Sequence, residues 1–87
     1  MAIKISPNFA KAYNNRGYSK YKKGDLNGAI EDYSKAIELI PDFPEALITR
    51  GVIKADKGDI KGALADIDAV IRSHPDNSGA YNSRSIF

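Results

Sequence analysis

An all-α fold built of tandem helix-turn-helix repeats follows from three features of this 87-residue chain. It matches itself at an interval of 34 residues, which superposes Ala12, Ala46 and Ala80, and likewise Pro7, Pro41 and Pro75. Within each copy, small and apolar residues recur at three and four, the spacing of a single helix face. Gly-Asp and Pro then punctuate matched places, where helices end and begin.

In the first unit Ala12, Tyr13, Arg16, Gly17, Lys20 and Tyr21 share one face of a helix. Gly24 ends that helix in a left-handed conformation, and Asp25 follows as a turn or N-capping residue. A second helix carries Leu26, Ala29, Ile30, Tyr33, Ala36, Ile37 and Ile40 on a broad apolar face, and Pro41 stops it. The second unit repeats the plan with Gly51, Gly58, Asp59, Ala63, Ile67, Val70 and Pro75. The predicted organisation is a single repeat domain over 1–87, with complete units at 10–43 and 44–77 and a partial third at 78–87. Residues 2–8 read as the end of a preceding unit, because AIKISPNF lies over AIELIPDF.

Small residues set the expected packing. Gly17 and Ala29 allow the two helices of a unit to approach closely, with Tyr33, or Ile67 in the second unit, filling the wider gap. Arg16, Arg50 and Arg84 recur just before the mid-helix position, and Asp32 and Asp66 recur in the second helices. Each arginine is expected to bond an aspartate across or between hairpins, fixing register more than adding net stability.

Composition narrows the function classes. With 43% apolar and 28% charged residues the chain reads as globular rather than disordered. A formal charge of +2, with cations interleaved among acids, argues against nucleic acid or a membrane as partner. Lys20, Lys22 and Lys23 form the most basic patch; they read as a solvated helix end that complements the carbonyl terminus, with phosphate or lipid contact as the alternative. Lys11 joins these three in a more distant nucleic-acid reading. There is no cysteine, hence no disulfide, thiolate nucleophile or cysteine-held metal. The chain has neither a secretory leader pattern nor an apolar run long enough for a membrane span, so a cytoplasmic location is the default expectation. The single histidine, His74, precedes Pro75 at a helix terminus and reads as a surface or helix-end residue rather than a catalytic base. Asp66, Asp68 and the GDLNG stretch lack the ligand number and distal glutamate of a calcium loop, so no metal site is expected.

Tyr13, Gly17, Tyr21, Gly24, Ala29, Tyr33, Ala36 and Pro41, with Leu47, Gly51, Gly58, Ala63, Ile67, Val70 and Pro75 at the corresponding places, resemble the tetratricopeptide repeat. The resemblance implies a right-handed α-solenoid whose first helices line a concave face. It also implies a non-catalytic protein-protein interaction scaffold with no cofactor. On that geometry Lys11, Asn14, Tyr18, Tyr21 and Lys22, then Glu45, Ile48, Val52, Ala55 and Asp56, then Gly79, Asn82 and Ile86, face the groove. A peptide over Tyr18, Tyr21, Ile48 and Val52 is the natural occupant; the alternative is that these side chains only pack against neighbouring helices. Members of the family that hold chaperone carboxylates use a lysine and an asparagine in the first helix, an asparagine in the next and two cations in the third, where this chain has Asn14 and Tyr18, then Thr49, then Gly79 and Ser83, so that clamp is absent. Gly28 and Gly62 fall where the family commonly tolerates a larger polar residue, so Gly28→Glu is expected to be neutral or stabilising.

The ends are unusual for a repeat array, which normally closes on a polar helix. Tyr81, Ile86 and Phe87 belong to a first helix without a second to cover it. A piece of a longer array is the leading explanation. Alternatives are fraying and self-association through the incomplete ends, including a domain-swapped dimer, which makes a structural self-associating unit the second functional reading.

Overall fold

The computed structural model describes residues 7–77 and 79–82. Four helices follow one another, α1 (Pro7–Lys22), α2 (Leu26–Leu39), α3 (Pro44–Asp56) and α4 (Ile60–Ser73), and residues 79–82 are again helical. Among the described residues there is no strand. α1 packs on α2 and α3 on α4 as hairpins, α2 packs on α3 to stack the hairpins, and α1 reaches α3 as well.

The turn inside each hairpin is fixed by local chemistry. Gly24 has φ +87° and Gly58 φ +92°, a conformation that side chains with a β-carbon resist. Around Gly24 the Asp25 amide donates to the Lys20 carbonyl at 2.8 Å and the Gly24 amide to the Tyr21 carbonyl at 3.0 Å. Asp59 to Lys54 and Gly58 to Ala55 repeat the pair, giving each turn the two bonds of a Schellman motif. The same aspartate then starts the next helix, since the Asp25 and Asp59 carboxylates accept from the Gly28 and Gly62 amides, each at 3.0 Å. A β-carbon at Gly28 or Gly62 would meet the capping carboxylate of Asp25 or Asp59, the mobile end of a flexible side chain, so a residue there requires that carboxylate to turn while keeping its cap.

Within each hairpin a glycine brings the helices together. A β-carbon at Gly17 would lie 3.1 Å from the Tyr33 ring, and one at Gly51 would lie 3.1 Å from both the Ala63 carbonyl oxygen and Ile67 Cγ1. Beside each glycine the expected ion pair is present as a two-pronged fork. Arg16 donates Nε and Nη2 to Asp32 at 2.9 and 2.7 Å, and Arg50 donates the same atoms to Asp66 at 2.8 and 2.7 Å. Lys20 and Lys54 add a second cation to each buried carboxylate at 3.2 Å. The pairs therefore run across the hairpin. Arg50 also works between hairpins, donating Nη1 to Ser34 Oγ at 3.1 Å. Arg84 lies outside the described residues.

The core runs on from one hairpin to the next. Ala29, Tyr33, Ala36, Ala46 and Ile53 form one buried cluster, and Leu47, Ile67, Val70 and Ala80 form another. Ile37 packs against both, so the hairpins share their apolar interior as stacked repeats do. His74, read from sequence as a surface residue, has its Nε2 3.0 Å from both carboxylate oxygens of Asp42, joining the ends of the two hairpins.

Two stability measurements follow. Gly51→Leu forces the α3–α4 contact against a backbone oxygen and is expected to cost about 1–3 kcal/mol in urea unfolding. Asp66→Ala is expected to cost about 3 kcal/mol. Asp32→Ala should cost less, because the Arg16 side chain is 61% exposed and can be solvated whereas that of Arg50 is 18% exposed. Hydrogen bonding from Arg16, opposed by burial and helped by Lys20, holds the Asp32 carboxyl below the usual carboxylate range. Its contribution is complete above the ordinary aspartate value of about 3.9 and is lost as the pH falls through the lowered one, so Asp32→Asn should flatten the acid limb of the stability profile.

Candidate functional site

The side chains that α1 and α3 do not spend on the hairpin contact meet over a depression of about 540 Å³. Asn14, Asn15, Tyr18 and Ser19 of α1 line one side, Glu45 and Thr49 of α3 the other, and Tyr33 of α2 reaches it from below. The helical register explains the grouping. Positions 14, 15, 18 and 19 recur at three to five residues and sit opposite the stripe that carries Gly17 and Arg16 toward α2.

Tyr18 is the most prominent of these groups, with 52% of its surface exposed, and Lys22 Nζ sits 5.7 Å from the centroid of its ring. Asn14 Oδ1 is buried and accepts no hydrogen bond. Tyr21 is half-buried against the first core cluster, and its hydroxyl donates to Asp56 Oδ2 at 3.4 Å, a link from α1 to α3. Burial, and then the Asp56 carboxylate, push the Tyr21 phenol up. Burial pushes the Tyr33 phenol up to about 12, with Thr49 partly opposing through a hydrogen bond.

Of the residues expected on the concave face, Asn14, Tyr18 and Glu45 line the depression. Lys11 and Lys22 are exposed on α1 outside its lining. Tyr21 points into the interhelical contact with Asp56, and Ile48 packs against the second core cluster. Val52 is partly buried on α3, and Asn82 is exposed in the helical stretch 79–82. Asn15, Ser19 and Tyr33 also line the depression, beyond the residues that the repeat geometry places on the concave face. The first two follow from widening the α1 face by one residue, whereas Tyr33 reads in sequence only as core. Tyr81, proposed for self-association, is 43% exposed; Ile86 and Phe87 lie outside the described residues. A separate flank of α1, lined by Phe9, Ala12, Tyr13 and Arg16, matches by the repeat interval Phe43, Ala46, Leu47 and Arg50, of which Ala46 packs in the cluster of Tyr33 and Ala36 and Arg50 bonds Ser34.

The family model for the tetratricopeptide repeat matches residues 10–43, the span from the start of α1's face to the residue before α3. Residues 10–43 are a tetratricopeptide repeat. The fold as a whole matches a solved structure, the first tetratricopeptide domain of Spaghetti (RPAP3) bound to the HSP90 peptide SRMEEVD, with a TM-score of 0.89 at 20% sequence identity. The match covers 95% of this chain and 66% of the other, just under two thirds of its length. No curated protein matches the sequence. By the 34-residue interval, α1 and α3 are the first helices of successive units, and the depression lies between them. Among the described residues, no helix is long and apolar enough to cross a membrane, and no group of three or more His, Asp or Glu is placed to hold a metal ion.

The Tyr33 shift has a measurable sign. Its folded value, about 12, lies above the ordinary phenol value of about 10, so the stabilisation is complete below the latter and is lost as the pH rises toward the former. Urea midpoints taken across that alkaline interval should fall less steeply for Tyr33→Phe than for the unaltered protein.

Proposed function

We propose that this chain is a non-catalytic interaction module that holds an extended segment of a partner protein in the groove between α1 and α3. The observation that carries this reading is the depression itself, an open concavity between the first helices of two stacked hairpins, with the half-exposed ring of Tyr18 in its wall. Aromatic side chains presented at a groove supply much contact area at little cost in side-chain entropy. The structural match supports the mode, since that domain is described with a peptide bound.

The ligand of that domain does not transfer directly. Its peptide is acidic, ending in EEVD. At the places where carboxylate-holding members of the family put a lysine, asparagines and two further cations, this chain has Asn14, Tyr18, Thr49 and Gly79, with Ser83 outside the described residues. Binding by the chaperone-tail clamp is therefore disfavoured, and a different peptide chemistry is implied. The alternative of a unit that associates with its own copies finds no support in the matched structure.

Selection of peptides from a random display library against the purified chain tests the reading. Tyr18→Ala and Thr49→Ala, both in the lining, should each weaken a selected peptide about tenfold or more while leaving helicity intact. Unchanged affinity in both variants would exclude the groove.

A further inference from the structure

We infer that the depression between α1 and α3 receives a cationic side chain, arginine or lysine, from its peptide. The inference rests on the groove being the binding face and adds what that face selects. Among the residues lining the depression Glu45 alone carries a charge, and it is exposed. The other lining groups are amides, hydroxyls and phenols, all with oxygen lone pairs to offer a donor.

The ring of Tyr18 supplies the second half of a cation site. Lys22 Nζ, from one turn further along α1, already stands over it at 5.7 Å from the centroid. That contact shows that the ring face is placed where a positive charge is drawn to it. Lys22 is exposed and lies outside the lining, as does Lys11, so both can remain in solvent when an incoming side chain takes the ring.

Other occupants fit less well. A carboxylate would face Glu45, and Lys22 would meet it only from outside the lining, over the Tyr18 ring. An aliphatic side chain would strip water from Glu45 and the amides and return no hydrogen bond. A guanidinium or ammonium group meets the carboxylate with charge, the oxygens with donors and the Tyr18 face with its positive edge. The specificity is thus of opposite sign to that of a carboxylate clamp.

Nuclear magnetic resonance titration with capped pentapeptides centred on arginine, on its neutral isostere citrulline and on glutamate tests this. The arginine peptide should shift Asn14, Tyr18 and Thr49 and bind about tenfold more tightly than the citrulline peptide, with the glutamate peptide weakest. Glu45→Gln should abolish the preference for arginine over citrulline, and the exposed Glu31→Gln on α2 should preserve it. Tyr18→Phe should retain arginine binding and Tyr18→Ala should lose it. Equal binding of the arginine and citrulline peptides, with shifts still at α1 and α3, would overturn the cation site and leave the groove standing. Shifts confined to α2 or α4, or none with any peptide, would overturn both.

Discussion

Each hairpin hangs on the close approach of its two helices at a glycine. At Gly17 the ring of Tyr33 lies against α1, and at Gly51 a backbone carbonyl and Ile67 lie against α3, leaving no space for a further carbon without movement. A mid-helix glycine costs about 1 kcal/mol of helix propensity, which the packing of a nearly fully buried tyrosine or isoleucine outweighs. Next to the glycine the Arg–Asp fork settles which turn of one helix faces which turn of the other, because a bidentate pair tolerates little sliding.

From that contact the rest of the architecture follows. Fixing the hairpin angle aims α2 at α3, where Ile37 joins the two core clusters and Arg50 reaches back to Ser34. Stacking then sets α1 beside α3 at a separation that Tyr21 can span to Asp56 and that leaves a depression between their remaining faces. The groove is therefore a by-product of hairpin packing, and its chemistry is free to vary. The side chains that line it are not the ones that hold the fold, Tyr33 excepted, which fills the hairpin with its ring and borders the groove.

Much of this was legible in the sequence because the signals are local and occur twice. Gly24 and Gly58 mark left-handed turns, Asp25 and Asp59 mark caps, and the recurrence of Arg16 with Asp32 and Arg50 with Asp66 announced the forks. What could not be read depended on relations without a second copy or on side-chain direction. Ser34 has Asp68 as its counterpart, so repetition gave no hint of the Arg50 bond. Tyr21 and Ile48 stand at groove-compatible spacings but turn toward Asp56 and the second core cluster. The one-dimensional pattern also does not show that the Asp25 carboxylate lies beside the place of the β-carbon that Gly28 lacks.

On the function proposed above, a partner peptide sits on the shared face of α1 and α3. Hydrogen exchange of the chain with and without a library-selected peptide tests it most directly, because protection maps contact without altering any residue. Slowed exchange concentrated in the segments carrying Asn14, Tyr18, Glu45 and Thr49 is the predicted result; protection confined to the outer faces of α2 and α4 would contradict the account.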